Sequence, residues 1–470
     1  MGQLETVVLE MECAAELSEA VKELVSFLST AREVGSPEEL EALEKEVGAR
    51  LNRLGGLAVG RQIQQALDSQ AAQEAEKALR AAWPYGLRDK GQETVRICTA
   101  MGLEVQIRVS YFARKGDRRG RKPHPGVYLG RLWLGIHDRC TPGLASQVSQ
   151  WAAMLGSLQE ATEVLAERGI RLDLKVVRKI AYRFAQRARL AQRLQGAGLE
   201  PAVAGRRVVV SLDGGRVRLR EKKPGPNTPK GRRRYKGAWR EPKLFIIYVV
   251  DAEGKMERSF LPVIDALIRS PDALFKLLRG YLEQLGLVEA DQVLFIADGA
   301  PWIWNRIPAL VQALGLKPQQ VHELIDFYHG VEHLGKVAAR RKSWTSKERK
   351  TWLRRHRTLL LQGQLEKVVA AVREICRGRN SQEIRTQRNY FVKNLERMRY
   401  DRLRARKLPI GSGSVESAIR RVVNLRLKGP CIFWCQANAE AILVLRCYLK
   451  AGRWNLLKNQ ANSVILAAYG

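Results

Sequence analysis

Three runs decide the fold: Arg206-Arg-Val-Val-Val-Ser-Leu-Asp213, Leu244-Phe-Ile-Ile-Tyr-Val-Val-Asp251 and Val293-Leu-Phe-Ile-Ala-Asp298. Each is short, apolar without interruption and closed by a carboxylate. Such runs read as strands covered on both faces. A third strand in chain order is expected over Arg258 to Ile264, then an amphipathic helix over Leu274 to Leu285. Val321 to Ile325 reads as a fifth short strand ending in Asp326. The order is three strands, helix, strand, helix, strand, helix. An all-parallel doubly wound sheet would need helices between the first three strands, and none is read there.

Antiparallel strands followed by parallel ones give an α/β sheet of ribonuclease H-like arrangement. In that arrangement the strands ending in Asp213 and Asp298 are neighbours. Either aspartate alone could do no more than cap a turn. Together, two carboxylates at one edge stay ionised cheaply only with a cation between them. Magnesium beside phosphate suits such a site, which then needs a third carboxylate. Glu416 is the candidate, in Pro409-Ile-Gly-Ser-Gly-Ser-Val-Glu416-Ser-Ala-Ile-Arg420. The Gly/Ser run leads into a helix, Ser412 or Ser414 can cap it, and Arg420 shares the Glu416 face, where it can hold a phosphate.

The charge points the same way. The chain has 470 residues, 81 Lys+Arg against 48 Asp+Glu, and a formal net charge of +33. A chain this basic is expected to meet a polyanion, nucleic acid before all. No run approaches the roughly 18–20 apolar residues of a membrane span, and the acidic start lacks a signal-peptide core. Seven scattered cysteines without a C-x-x-C pair fit a reducing compartment and offer no disulfide framework. Residues 1–50 carry 12 Glu against 4 Lys/Arg. They read as part of an acidic helical arm over 1–90, either solvated or meeting a partner.

Residues 91–140 read as a β-hairpin module. Its strands are expected around Val95 to Val109 and over Val127 to Leu134, with the basic loop from Arg114 as its tip. Residues 141–200 read as a helix-turn-helix: a Ser157 cap, a break at Gly169, and a basic second helix exposing Arg178 and Lys179. Residues 201–334 and 409–470 would form the two parts of the catalytic domain, and 335–408 a basic, all-helical insertion. Residues 214–243 hold 12 Lys/Arg against 2 acids, including Arg232, Arg233, Arg234 and Lys236 beside aromatics. Both basic regions suit a DNA backbone.

Taken in order, Ser-Leu-Asp213-Gly-Gly, Ile-Ala-Asp298-Gly-Ala, Asp326-Phe-Tyr-His329 with Glu332-His333-Leu, and Gly-Ser-Gly-Ser-Val-Glu416 resemble the DDE transposases of bacterial insertion sequences. The nearest likeness is to the ISKra type, related to Mutator-like elements. The likeness continues through Asn424-Leu-Arg426-Leu-Lys428-Gly, Trp434 and Ala439 to Arg446. It implies an enzyme in which Asp213, Asp298 and Glu416 hold two Mg²⁺ ions, with Mn²⁺ able to substitute. That enzyme would cleave DNA at terminal inverted repeats and join the freed end to target DNA. It also implies that Asp326 and His329 lie beside the site and that Arg426, Lys428 and Trp434 meet the DNA end. A homodimer or higher oligomer on double-stranded DNA is expected, in a prokaryotic cytoplasm at the nucleoid, with no membrane partner. Many relatives carry cysteine pairs in the N-terminal β-region; Thr94 to Gly135 has no such pair.

Two other classes fit the residues: another ribonuclease H-like metal nuclease, such as a resolvase or repair enzyme, and a non-catalytic DNA-binding descendant of a transposase. His329-Gly-Val-Glu332-His333 matches an inverted zinc-protease motif, but its basic surroundings do not suit a peptide groove. Cys431 and Cys435 lack the second pair a zinc site needs and read as packing.

Overall fold

The computed structural model describes residues 2–30, 33–115, 126–378 and 381–466, with side chains from residue 15. The chain forms two compact units, 1–194 with 455–470, and 195–454. The break near 195 falls close to the expected boundary at 200. The C-terminal segment 409–470 is divided, its last 16 residues belonging to the first unit.

The first unit opens with helices α1 (Gly2–Ser29), α2 (Pro37–Asp68) and α3 (Gln70–Ala81). Ser36 caps α2 by accepting the Glu39 N–H, and Pro37 sits at its first turn, where the missing N–H costs nothing. A two-stranded antiparallel sheet follows, β1 (Leu87–Cys98) and β2 (Glu104–Arg114). α2 lies closely on β2. A Cβ at Gly56 would come within 2.5 Å of Leu103, and one at Gly60 within 3.1 Å of Val105. The arm is therefore packed along much of its length rather than free in solvent.

The hairpin differs from the expected one. Its turn is Thr99–Leu103, closed by Thr99 N–H to Leu103 O at 2.9 Å, with Gly102 left-handed at φ +80°. The stretch expected as its second strand contributes only a Val127 bridge to Phe112 and then winds into α4 (Leu129–Trp133). Leu129 and Leu132, three apart, bury together against Trp83, Leu87 and Phe112, a helical demand that overrides the apparent alternation. Most of the basic loop expected as the tip lies outside the described residues.

Helices α5 (Pro142–Met154), α6 (Leu158–Glu167) and α7 (Leu174–Gln195) come next, and α19 (Trp454–Asn462) ends the described chain. Ser157 caps α6, and Gly169 takes φ +80° between α6 and α7. Cys98 and Cys140, 42 positions apart, meet as bridge partners; neither is in a disulfide.

The second unit is built on a five-stranded sheet of β3 (Arg207–Gly214), β6 (Lys243–Val250), β7 (Val263–Leu267), β8 (Gln292–Ala297) and β9 (Val321–Ile325). The spatial order is β7-β6-β3-β8-β9. β6 runs antiparallel to β3 and β7, whereas β8 is parallel to β3 and β9 to β8. The third sheet strand lies later than expected: Arg258 to Leu261 form the approach and Val263 to Leu267 the strand. A separate hairpin, β4 (Val217–Lys222) and β5 (Tyr235–Arg240), rises between β3 and β6.

Helices α8 (Pro271–Gln284), α9 (Pro301–Trp304), α10 (Ile307–Ala313) and α11 (Phe327–Ala338) connect and flank the later strands. A helical segment follows: α12 (Ser346–Leu361), α13 (Leu365–Cys376), α14 (Gln382–Lys393) and α15 (Tyr400–Ala405). The chain returns to the sheet through α16 (Gly413–Ile419), α17 (Leu425–Leu427) and α18 (Gln436–Lys450). Between α16 and α17, Arg420–Asn424 wind as one π turn. Among the described residues, no helix is long and apolar enough to cross a membrane.

Candidate active site

Sheet register brings three aspartates to one edge. Leu212 pairs with Ala297, and Ala297 pairs with Ile325. Asp213, Asp298 and Asp326 are the next residues on three adjacent parallel neighbours, whose strands stand about 4.8 Å apart. Each has a distinct local setting. Asp213 Oδ1 accepts the Gly214 N–H at 2.6 Å. Asp298 Oδ1 accepts the Ala300 N–H at 3.0 Å, and its carbonyl takes the Trp304 indole N–H at 2.6 Å. Asp326 is fully buried; its Oδ1 caps α11 through the His329 N–H at 2.7 Å, and its Oδ2 accepts the Ser412 N–H.

Glu416, from α16, reaches this edge. Its Oε1 lies 3.7 Å from His329 Nε2, while His329 Nδ1 is 3.9 Å from Glu332. Asp326, His329 and Glu416 offer ligand atoms all within 4.8 Å of one another. Burial pushes the Asp213 carboxyl up to about 6. The charges of Asp298 and Glu416 add to the rise, and the Gly214 N–H and His329 oppose it. The region is thus a partly desolvated pool of negative charge with one imidazole. A divalent cation suits it, because nothing else at the edge offsets that charge.

The turn after Glu416 is wide. A π turn leaves carbonyls without their usual helical donors. The buried Arg446 serves two of them, donating to Val422 O at 2.8 Å and to Arg421 O. Burial lowers the pKa of this guanidinium to about 10. Arg446 therefore supports the helix that carries Glu416.

Tyr390, on α14, was not legible in the sequence. Its ring stacks on His333 at 3.6 Å between centroids, and a Cβ on Gly299 would fall 2.3 Å from it. Its hydroxyl is buried without a hydrogen-bond partner. Burial, then the charges of Asp298, Asp326 and Glu332, push the phenol pKa upward. His333 turns to Gln387, 2.6 Å from Nδ1, and burial lowers its pKa. It does not join His329 and Glu332 as the protease-like motif would need. Asp265 on β7 is a second buried carboxylate without a sequence signal; Tyr281 donates to it at 2.8 Å.

The expected DNA-contacting residues divide. Arg232, Arg233 and Arg234 are exposed in the β4–β5 loop, and Lys236 is exposed on β5, 3.7 Å from Glu221. Arg420, Lys428 and Arg178 are exposed. Lys179 is 4.0 Å from Asp138, a carboxylate also held by Arg183 at 2.5 Å and Arg187 at 3.0 Å.

Arg426 and Trp434 do not fit the expected role. They are 5% and 9% exposed, and the Arg426 guanidinium lies 5.3 Å over the Trp434 ring. The Trp434 indole donates to Leu427 O at 3.1 Å, and its backbone pairs with β4. Both are packed within the unit, turned away from an incoming DNA end. Comparisons with protein-family models, with curated proteins and with solved structures found no match to this chain.

Proposed function

We propose that the chain is a DDE transposase of bacterial insertion-sequence type, cutting DNA at transposon ends and joining them to target DNA. One observation carries the reading. Asp213 and Asp298 follow paired positions of adjacent parallel strands, and Glu416 is close enough for its charge to raise the Asp213 pKa. The strand order β7-β6-β3-β8-β9, with β6 alone reversed, supports a ribonuclease H-like sheet.

Asp213, Asp298 and Glu416 would hold Mg²⁺, with Asp326 and His329 alongside; bound there, the metal would activate water and stabilise the leaving oxygen. The chain's own groups supply the rest. Asp326 fixes the start of α11 and the lead-in to α16, and His329 orients Glu416. Exposed Arg420, one turn beyond Glu416, can hold a flanking phosphate.

The test uses plasmid DNA carrying candidate element ends, with Mg²⁺ or Mn²⁺. Wild-type protein should nick at the ends and join them to a second DNA. Asp213→Asn, Asp298→Asn and Glu416→Gln should each abolish both steps while leaving DNA binding near normal. Cutting without joining would favour a plain nuclease. Binding with no cutting by the wild type would favour a DNA-binding descendant.

A further inference from the structure

The β4–β5 hairpin has two unlike faces. Val217 and Leu219 point inward and are 0% and 4% exposed. The other face alternates Arg218, Arg220 and Lys222 on β4, paired across the ladder with Trp239, Gly237 and Tyr235 on β5. Tyr235 and Trp239 remain 45% and 50% exposed. Residues this large and apolar are normally covered, or left open because something docks on them.

The exposed groups form one continuous row. Phe433 lies over Gly237, where a Cβ would come within 2.7 Å of its ring. Tyr235 and Phe433 meet edge-on at 5.7 Å between centroids. The Arg218 guanidinium spans the next gap, 5.0 Å from Phe433 and 4.8 Å from Trp239, and Arg220 lies 4.9 Å from Tyr235. The order along the face is Tyr235, Phe433, Arg218, Trp239. Planar guanidinium and aromatic groups in alternation present π faces within a positive field. The hairpin loop adds Lys223, Lys230 and Arg232 to Arg234, with no acid among residues 223–234.

The hairpin is also close to the carboxylate edge. Val217 follows Asp213 by four residues, at most about 13 Å of extended chain. The Gly215 N–H donates to Pro242 O at 2.8 Å, so the stem closes beside the end of β3.

We propose that this face is a binding site for a single DNA strand, its unpaired bases stacking on Trp239 and Tyr235 while the loop arginines and lysines follow the phosphates. Duplex DNA would not use it, because paired bases keep their faces covered by their neighbours. A protein surface is the less fitting occupant: the row is bordered by cations on both strands, whereas a protein-binding patch has an uncharged centre. The inference deepens the reading of this unit as a DNA-cutting enzyme, by giving the strand freed at the site a place to lie.

The experiment uses the full chain and three labelled probes at one salt concentration: a 15-nucleotide oligo(dT), a 15-nucleotide abasic strand and a 15-base-pair duplex. Fluorescence anisotropy should show oligo(dT) bound more tightly than the abasic strand. Trp239→Ala should weaken oligo(dT) binding at least tenfold, in keeping with the loss of a base stack, and Tyr235→Ala by a smaller factor. Trp239→Phe should recover most of the loss. Duplex affinity and melting temperature should stay at wild-type values in all three variants. Equal binding of oligo(dT) and abasic strand by the wild type would overturn the proposal. So would Trp239→Ala binding oligo(dT) normally, or losing duplex affinity in equal measure. Trp239-dependent strand binding by a wild-type protein that never cuts DNA would sink the enzymatic reading and leave the stacking site standing.

Discussion

Asp326 Oδ2 accepts the backbone N–H of Ser412, 86 residues further along the chain. With Oδ1 on the His329 N–H, one buried carboxylate ties the end of β9 and the start of α11 to the lead-in of α16. The long helical segment thus leaves and rejoins the sheet at a single clasp. Gly411 belongs to it: a Cβ there would fall 2.8 Å from the Tyr328 ring and 3.7 Å from Asp326 Oδ2.

Asp326→Asn should therefore damage both fold and site. An amide keeps one acceptor but turns an NH₂ group toward the other backbone N–H, leaving a buried donor facing a donor. Urea unfolding should show a loss of about 2–3 kcal/mol. Metal-dependent cleavage should fall by more than the folded fraction does, since Glu416 loses its anchor. A variant as stable as wild type would remove the clasp.

Asp213 gives a pH signature. Its carboxyl ionises near 6 in the fold, above its ordinary 3.8. Below about pH 4 it is protonated in the folded and unfolded chains alike. As the pH rises from there toward 6, the unfolded chain releases this proton first, so this group's contribution turns against folding; the effect is complete above 6. Asp213→Asn should consequently melt a few degrees higher than wild type at pH 7.5, with the gap closing toward pH 4 in calorimetric scans. Added Mg²⁺ should raise the wild-type melting temperature and narrow the gap. Equal melting at all pH values would contradict the partly buried, charge-crowded setting of Asp213.

Tyr390→Phe separates packing from chemistry. The phenol oxygen is buried without a partner, so its removal should leave the melting temperature equal to or above that of wild type. Gly299→Ala should do the reverse, lowering the melting temperature because the added methyl meets the Tyr390 ring at 2.3 Å. Differential scanning fluorimetry of both variants checks the pair.

Trp434→Ala should unfold the unit early. The ring is buried, its indole bonds Leu427 O, and its backbone extends β4. The expected cost is about 3–5 kcal/mol, with every function lost in proportion. A DNA substrate with a pre-opened end should not be cut any better by this variant.

Legibility followed the range of the interactions. The runs through Val208, Phe245 and Phe295 were readable because a strand covered on both faces must be apolar throughout. Their carboxylate endings were readable as well, because the residue after such a strand meets solvent at the sheet edge. The first hairpin was misread because Ala100-Met101 carries no turn signal, and Val127 to Leu134 alternates convincingly until Leu129 and Leu132 find a common core. β4 and β5 were hidden by their own arginines, which face outward and break the apolar pattern. Tyr390, Asp265 and the burial of Trp434 depend on partners tens to hundreds of residues away, such as Gly299, Tyr281 and the edge of β4. No local pattern carries that information.

The π turn at Arg420–Asn424 puts the chain one residue out of step with regular helical winding. Loss of a single residue there would let the segment relax into an ordinary α-helix. Everything downstream would then rotate by about 100° relative to Glu416. Val422, Val423 and the carbonyls that Arg446 serves would leave their places together. The segment is thus intolerant of a change in length at positions where most surface substitutions would pass unnoticed, and the count of residues between Glu416 and Arg426 is itself part of what aims the glutamate.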